Sequence, residues 1–381
     1  MHIERRMVVY DAAAEPADRQ VAFFDSVFTS SEGSWFCGYT VGCRKHDNQG
    51  TIQLRRSLDG GDSWQVLPGE FSREWQGIPG SLTGAEMLEI TPGRLMLFTT
   101  WFDRSEPERP LFDPLTEGIL RSRLLVAESA DDGESWSAWR EIATPGLKGT
   151  AMTGPPVLWT DGTLGVAFES FKEFDDPGPG HHGSWLVLSR DGGRTFPDRY
   201  CVAQDPKHAV YYWDQRLTAG AEVGDYIGLF WTHDRASQRD LRVHFLQANV
   251  REGQAAPQLP TETTIPGQIA APARLADGRL LAFVVDRDQP GTMRLWVSAD
   301  QGRTWPLSDS LLVHSHDELA RVSQGRTDVD YAQYWEDMAK WTFGHPAMAV
   351  LGADRVLVSY YAGVPGCMGI HAAVVAVPGG I

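Results

Sequence analysis

The chain has 381 residues, of which 42% are hydrophobic and 22% are charged, which is the composition of a soluble globular protein. Its formal net charge of −16 argues against nucleic acid or an anionic membrane surface as a partner, because both would repel it at long range. The four cysteines show neither metal-ligand spacing nor the density of a disulfide framework, so we expect mostly buried thiols.

No targeting segment is evident near the N-terminus. Residues 1–6 carry charge, but they are not followed by the apolar stretch of about 7 to 15 residues that a secretory signal needs. The sequence also lacks an apolar run of about 18 residues, so it predicts no transmembrane helix. These features predict a cytoplasmic protein.

The first predicted element is a short apolar strand at residues 7–10. In the six segments that follow, an apolar strand, a turn and a second apolar strand succeed one another: 26–42, 85–101, 155–169, 215–233, 271–287 and 346–361. A turn motif of the form Ser-x-Asp-x-Gly-x-(Ser/Thr)-aromatic occurs four times among them, at 57–64, 129–136, 189–196 and 298–305. Its Asp can accept backbone N–H groups, its Gly can adopt a positive φ, and its hydroxyl completes a tight turn.

The spacing of this motif predicts a repeated fold. Its serines are 72, 60 and 109 residues apart, so we infer that one unit between 196 and 298 has lost its motif, and the 76 residues after 305 leave room for one more unit. Units of this length with several short strands are typical of a β-propeller. We therefore predict an all-β protein in which residues 1–381 form one domain, a six-bladed β-propeller with four-stranded antiparallel blades. Strand 7–10 should complete the last blade beside residues 372–375 and so hide two sheet edges.

Three segments depart from the repeat. Residues 105–119 are rich in proline and charge, and a Pro/Gly run at 175–180 precedes two adjacent histidines. The longest departure, 306–343, predicts one helical insertion near 315–342. Asp328 could cap this helix, whose aromatic and apolar face would pack on the propeller or form part of a sugar-binding platform; that face contains Tyr331, Tyr334, Trp335, Met338 and Trp341.

Candidate functional residues follow from propeller geometry. The innermost strand of each blade begins at one end of the central channel, so six positions distant in sequence converge there. The predicted strand starts place three carboxylates, an arginine and a histidine at the axis: Asp25, Glu86, Asp214, Arg216 and His345. Poor solvation should perturb their pKa values. They form either a hydrogen-bonded plug that closes the channel or the catalytic group of an active site.

The repeated turn is the Asp-box signature, and over nearly its whole length the chain resembles the sialidase-like Asp-box, or BNR-repeat, propellers. Residues 44–48 (Arg-Lys-His-Asp-Asn) and 55–61 (Arg-Arg-Ser-Leu-Asp-Gly-Gly) look like the first blade of bacterial sialidases. The resemblance implies that Arg44 binds an anionic group or ring oxygen and that Asp47 is the general acid. It also places Asp214 where those enzymes have a glutamate that assists the nucleophile, and Arg235 near a substrate-binding arginine.

Two positions differ from the family's pattern. Sialidases open the first blade with Arg-Ile-Pro, whose arginine grips the substrate carboxylate, and Phe24-Asp25-Ser26 takes that place here. Their sixth blade begins with a tyrosine nucleophile, where this chain has Phe343-Gly344-His345. Because Asp25 would repel a sialic acid by Coulomb's law, we predict a different sugar.

Glycoside hydrolysis needs a protonated carboxylic acid at the leaving oxygen and an ionised carboxylate that activates water or attacks directly. Asp47 with Asp214, or Asp25 with Glu86, could supply this pair. The reaction would retain configuration at a carboxyl separation of about 5 Å and invert it at about 6.5 to 9.5 Å. We therefore predict an exo-acting glycoside hydrolase on a short oligosaccharide, with Trp101 as a further candidate for contact with the sugar.

Two other functions stay open. Tyr212, Arg216 and His345 would suit a lyase on a uronate, in which the arginine neutralises the carboxylate and the histidine or tyrosine moves the proton. A non-catalytic sugar-binding propeller is the third, because one fold hosts many functions. The expected partner is a small carbohydrate, without nucleic acid or membrane. No cofactor motif occurs, and one Asp per turn supplies too few oxygens for calcium, so we predict neither cofactor nor metal.

Overall fold

Antiparallel sheets arranged as blades make up the molecule. The structure is a computed structural model that describes residues 1–250, 258–288, 291–316 and 338–379. Within these ranges the strands form six blades, each with four main antiparallel strands. The predicted all-β, six-bladed propeller is confirmed.

The strands follow the chain blade by blade. The chain begins with β1 (His2–Tyr10) and two 3₁₀ helices (Ala12–Ala14 and Ala17–Arg19). Blade one contains β2 (Val21–Thr29), β3 (Trp35–Gly42), β4 (Thr51–Ser57) and β5 (Gln65–Val66). Blade two contains β6 (Glu74–Trp75), β7 (Ile78–Thr91), β8 (Arg94–Asp103), β9 (Ser122–Ser129) and β10 (Arg140–Ile142). Blade three contains β11 (Gly149–Met152), β12 (Val157–Leu158), β13 (Leu164–Phe171), β14 (Gly183–Ser189) and β15 (Asp198–Ala203).

The second half of the chain repeats this order. Blade four contains β16 (Val210–Ala219), β17 (Asp225–Asp234), β18 (Arg239–Asp240), β19 (His244–Asn249) and β20 (Thr261–Glu262). Blade five contains β21 (Ala270–Arg274), β22 (Leu280–Asp286), β23 (Gly291–Ser298), a 3₁₀ helix (Leu307–Asp309) and β24 (Ser310–His316). Blade six contains β25 (Phe343–Val350), β26 (Arg355–Val364) and β27 (Cys367–Ala376).

The N-terminal strand closes the ring. β1 pairs antiparallel with β27 as the outer strand of blade six, and Met7 lies opposite Ala372. On the other side of the seam, β2 of blade one contacts β25, β26 and β27. The predicted closure by residues 7–10 is confirmed, and the edge of β27 is covered.

The four Asp boxes form turns between the third and fourth main strands of their blades, at the outer rim. In the box at 189–196, Ser189 Oγ accepts the Gly193 N–H at 2.8 Å and donates to Asp191 Oδ1 at 2.8 Å. Asp191 also accepts the N–H and the hydroxyl of Thr195. The other three boxes contain the same bonds. Each turn is therefore held by its own eight residues.

Four of the described inner strands bulge where they reach the channel. The pairing of β2, β7, β16 and β25 with the next strand shifts register at residues 24–25, 84–85, 214–215 and 345–346. The first residue of each bulge has a positive φ, +52° at Phe24, +76° at Gly84, +45° at Asp214 and +54° at His345. This left-handed backbone is costly for residues other than glycine. The bulges redirect the side chains at the axis.

The predicted helical insertion near 315–342 lies mostly outside the described residues, as do Asp328, Tyr331, Tyr334 and Trp335. Residues 315–316 belong to β24, residues 338–340 are helical, and Trp341 is buried. No helix in the described part of the chain is long and apolar enough to span a membrane.

Candidate functional site

An arginine and four carboxylates occupy the axis of the propeller. Arg216 in β16 is 1% exposed, and its charge interacts with the carboxyl groups of Asp25, Glu86, Glu169 and Asp214. Burial lowers the pKa of Arg216, and the four carboxylates oppose this shift. The structure thus brings together the predicted axial carboxylates and arginine, and adds Glu169.

Asp25 and Glu86 are both buried members of this group. Asp25 is fully buried, and its Oδ2 accepts a hydrogen bond from the Ser359 hydroxyl. Burial raises the pKa of Asp25 to about 8. Burial also raises the pKa of Glu86. Asp25 is therefore mostly uncharged at neutral pH. An uncharged carboxyl group does not repel a sialic acid, so the repulsion predicted from the sequence does not apply.

His345 fills the axis beside Arg216. Arg216 Nη2 lies 3.0 Å from both ring nitrogens of His345, and Nη1 donates to the Pro346 carbonyl at 2.6 Å. Burial, followed by the charge of Arg216, holds the pKa of His345 well below its usual value, so the ring is neutral. Arg216 and His345 are thus buried and bonded to each other at the axis, which favours the plug alternative for these two residues.

A small pocket with a cavity volume of about 80 Å³ lies at the end of the channel where the inner strands begin. Its wall is mostly apolar, and its aromatic side chains are Phe24, Phe102, Phe112, Phe171, Trp213 and Trp231. His46, Glu169, Asp214 and three threonines supply the polar part of the wall. An apolar cavity with a few polar groups is typical of a small-molecule site.

Glu169 and Asp214 form a carboxylate pair in this pocket. Glu169 Oε1 accepts the N–H of Gln215 at 3.2 Å, which places Glu169 against the bulge that carries Asp214. Burial and then the charge of Asp214 raise the pKa of Glu169 well above its usual value. Burial also raises the pKa of Asp214, but the charges of Arg216, Arg287 and Lys45 oppose it. Asp214 therefore ionises more readily than Glu169.

Glu169 was missed because the sequence argument considered inner strands alone. It lies on the second strand of blade three, opposite Ala151 of β11. All eight residues of β13 are buried, and Glu169 is the charged residue in this otherwise uncharged run. A carboxylate inside a buried strand needs a compensating environment, and this was the available signal.

His46 contributes a neutral ring to the pocket wall. Burial lowers its pKa to about 3. Neither ring nitrogen has a hydrogen-bond partner among the described residues. His46 can therefore donate one hydrogen bond to a ligand and accept another.

Two buried cations near the axis were also missed. Lys45 is 6% exposed, and its Nζ donates to the Tyr361 hydroxyl at 2.9 Å. The Arg287 guanidinium lies 3.9 Å from the centroid of the Trp341 ring. Arg44, predicted to bind an anionic group, is exposed instead. Lys45, the next residue in the sequence, is the buried cation of residues 44–48.

Asp47 holds the turn after β3. Its carboxylate accepts the N–H groups of Cys43 and Gln49, both at 3.0 Å. Burial would raise the pKa of Asp47, but the backbone hydrogen bonds from Gln49 and Cys43 outweigh it and leave the pKa below its usual value. An ionised carboxylate does not favour the predicted role of general acid.

Trp101 and Tyr212 point away from the pocket. Trp101 donates from Nε1 to the Arg73 carbonyl at 2.9 Å, inside the core between blades one and two. Tyr212 packs against Phe230 in the core shared by blades three and four. Because side chains alternate along a strand, the pocket is lined by their neighbours, which include Trp213. The side chains of Trp101 and Tyr212 therefore do not line the pocket as predicted. Residues next to them in sequence, such as Phe102 and Trp213, line it instead.

Arg235 supports the pocket wall from behind. It donates to both carboxylate oxygens of Glu117, at 2.8 and 3.1 Å. Glu117 belongs to the loop at 105–119, whose Leu111, Phe112 and Ile119 line the pocket. Arg235 thus fixes a loop of the site.

Among the described residues, no group of three or more His, Cys, Asp and Glu side chains could hold a metal ion.

Solved structures with the same fold include sialidases. A protein of unknown function from Dyadobacter fermentans is 18% identical, with a TM-score of 0.72 over 99% of both chains. A Hadza microbial sialidase is 17% identical, with a TM-score of 0.66 over 97% of this chain and 68% of its own. The intramolecular trans-sialidase from Ruminococcus gnavus, solved with oseltamivir carboxylate, is 10% identical, with a TM-score of 0.61 over 96% of both chains. This chain therefore has the sialidase-type propeller fold. No protein-family model and no curated sequence matches it.

Proposed function

We propose that this protein is a carbohydrate-active enzyme, an exo-acting glycoside hydrolase that removes a terminal neutral sugar from a short oligosaccharide. The observation that carries the proposal is the Glu169 and Asp214 pair in an apolar pocket at the channel mouth. The sialidase and trans-sialidase among the similar structures support a carbohydrate ligand. The buried side chains of Arg216 and His345 favour a pocket with a closed floor, which accepts the end of a sugar chain.

In the proposed reaction Glu169 is the general acid. Burial and the charge of Asp214 keep its proton bound, and it donates this proton to the leaving glycosidic oxygen. Asp214 is the ionised carboxylate, which the charges of Arg216, Arg287 and Lys45 favour. Asp214 attacks the anomeric carbon or takes a proton from the attacking water. The anomeric configuration of the first product, followed by NMR, distinguishes these two courses.

A neutral sugar is favoured by the residue that stands in place of the sialidase arginine. Phe24 lines the pocket there, and its neighbour Asp25 is buried at the axis. A phenyl ring offers no charge to a substrate carboxylate, which would lose its hydration without an ion pair.

The uronate lyase receives less support from these contacts. Its arginine, Arg216, is 1% exposed and already bonded to Pro346 and His345. Its tyrosine, Tyr212, lies in the blade core. The arginine is therefore poorly placed to neutralise a substrate carboxylate.

A panel of 4-methylumbelliferyl glycosides that includes a sialoside tests the proposal. We expect fluorescence release from at least one neutral glycoside and none from the sialoside. Glu169→Gln and Asp214→Asn should each lower kcat by about 10²- to 10⁴-fold. Glu222→Gln, in an exposed turn of the same blade as Asp214, is the matched control and should keep wild-type activity. Full activity in both pair variants would contradict the proposal, and sugar binding without any hydrolysis would favour the non-catalytic propeller.

A further inference from the structure

We infer that the seam between blades five and six contains an acid-sensitive latch, which releases β24 from its place between β23 and blade six when histidines at the seam take up protons. This device is independent of the proposed function, because it concerns how the ring opens and not what the protein binds. It is carried by a cluster of imidazole rings beside the point where β1 closes the propeller.

Histidines from both blades pack on one tyrosine at this seam. His314 belongs to β24 of blade five, and its ring centroid lies 5.0 Å from that of Tyr360 in β26 of blade six. On blade six, the ring of His371 in β27 stacks on Tyr360 with the centroids 5.7 Å apart. Tyr360 is 5% exposed, so these contacts are mostly shielded from water. The packing of β24 against blade six therefore uses a ring that can acquire a charge.

The charged groups that face His314 oppose its protonation. His314 Nε2 lies 3.2 Å from Nδ1 of His316 on the same strand. Arg6 of β1 donates to the carbonyl of Val313, the residue before His314, at 2.6 Å. Burial, followed by the charges of His316, His371 and Arg6, lowers the pKa of His314 to about 4. A proton on this ring would thus place a second cation beside Arg6.

The other titratable rings of the cluster are also neutral. Burial lowers the pKa of His371, although its hydrogen bond to the Ala362 carbonyl and the charge of Asp11 oppose this shift. Burial raises the pKa of Tyr360, against the charge of Arg6. The seam is therefore assembled from uncharged rings, and acid changes the charge of the histidines alone.

β24 is a strand that can open locally. It is the outer strand of blade five, and β23 is its partner in that sheet. Val313 is its buried residue, and the other six residues are at least partly exposed. An edge strand with few buried side chains opens at a lower free energy than the core of a blade. Its release exposes His314 and breaks the contact with Arg6.

Acid favours this release. His314 has an ordinary pKa of 6.5 and a folded value of about 4, so the released strand binds a proton more readily than the docked one. Because the folded value is the lower one, the docked state is fully favoured above 6.5 and loses its advantage as the pH falls towards 4. Between pH 7 and pH 5 the released population should rise about 20-fold through His314 alone. Asp25 and Glu86 act in the opposite sense, since their pKa values are raised, so the axis should not loosen with the seam.

Hydrogen exchange followed by mass spectrometry at pH 7 and pH 5 tests the inference, with each rate corrected for the intrinsic effect of pH on amide exchange. We expect the protection of β24 to fall by at least about 20-fold between these two conditions. β10 (Arg140–Ile142), the outer strand of blade two, contains no histidine, and its protection should not fall.

Variants of the two seam histidines complete the test. His314→Phe keeps an aromatic ring on Tyr360 but cannot take up a proton, so most of the fall in β24 should disappear. His371→Gln removes the second titrating ring and should reduce the fall, and it keeps the test decisive if His314→Phe does not fold. His2→Gln removes an exposed histidine of β1 and should leave the fall unchanged. No fall in β24, an equal fall in β10, or an undiminished fall in either seam variant would overturn the inference.

Discussion

At the scale of single residues, the main feature of the axis is a set of four carboxyl groups that interact with the buried guanidinium of Arg216. Burial raises the pKa values of Asp25, Glu86 and Glu169, so these carboxyl groups bind protons more readily in the folded protein than in the unfolded chain. Stability and pH are therefore coupled through these groups.

Asp25→Asn should make stability less sensitive to pH. The pKa of Asp25 is about 8 in the folded protein, against an ordinary value of 3.8. Because the folded value is the higher one, the contribution of Asp25 is fully present below the ordinary value and is lost as the pH rises towards 8. Within this window wild type should lose up to about 1.4 kcal/mol per pH unit from this group. Urea unfolding at several pH values measures the slope, and the same slope in Asp25→Asn would show that Asp25 is already ionised in the fold.

Arg216→Met should destabilise the protein by about 3–5 kcal/mol at neutral pH, because it leaves buried carboxylates without their shared cation. The loss should shrink on acidification, since protonated carboxyl groups no longer need the charge. Arg190→Met is the control, because the side chain of Arg190 is 49% exposed. Urea unfolding of both variants at neutral and mildly acidic pH checks this, and a pH-independent loss would argue against the charge explanation.

At the scale of strands, the bulges decide which side chains reach the channel. The sequence predicted where the inner strands begin, and the axis does contain Asp25, Asp214 and His345. A bulge, however, inserts one residue and changes the phase of the alternation, so Phe24 lines the pocket while Asp25 is buried. Phe24 carries no local signal for a positive φ, and for this reason the orientation of its side chain could not be predicted.

Local and long-range features differ in how far the sequence reveals them. The Asp boxes are held by hydrogen bonds within eight residues, so their pattern predicted the turns, and their spacing together with the six strand–turn–strand segments predicted the number of blades. Glu169 acquires its role from Asp214, which lies on the next blade. Lys45 likewise depends on Tyr361, on the far side of the ring seam. Pairings between blades leave no spacing in the sequence, so this part of the site was missed.

Ser189→Ala tests the separation between the Asp box and the site. It removes a buried hydroxyl that accepts the Gly193 N–H and donates to Asp191, so we expect a loss of about 1 kcal/mol of stability. Glycoside turnover should not change, because the box lies at the rim. Ser308→Ala, at an exposed serine, should leave both stability and turnover unchanged. Thermal unfolding and the glycoside assay together give the result, and a fall in turnover at unchanged stability would place the box in the site.

At the scale of the whole molecule, each blade contacts the next and the contacts run around the full ring. Arginines reinforce three successive seams at the rim, because Arg5, Arg56 and Arg140 each bond to the Asp-box turn of the following blade. These are partly buried hydrogen bonds to backbone carbonyl groups, and each contributes only about 1 kcal/mol. The pairing of β1 with β27 is the larger element of closure, because it extends over most of both strands.

Proline substitutions in β1 should reveal this closure. N–H groups along an antiparallel edge strand alternate between the partner strand and solvent. Of Met7→Pro and Val8→Pro, one therefore removes a ladder hydrogen bond and should cost at least about 1 kcal/mol, and the other serves as its control. Hydrogen exchange should show faster exchange in β27 for the damaging variant. Full protection of β27 in both variants would mean that β1 does not secure the ring.

The pairing of β1 with β27 also sets an order in time. β1 leaves the ribosome first among the strands of the propeller, and its partner in the sheet is made near the end of the chain. At about 5–20 residues per second, roughly 20–70 s separate the two strands. Blades one to five can assemble during this interval, while β1 still lacks its partner strand β27. β1 is therefore the first strand of the propeller to be synthesised and the last to pair. Its pairing with β27 in blade six completes the ring.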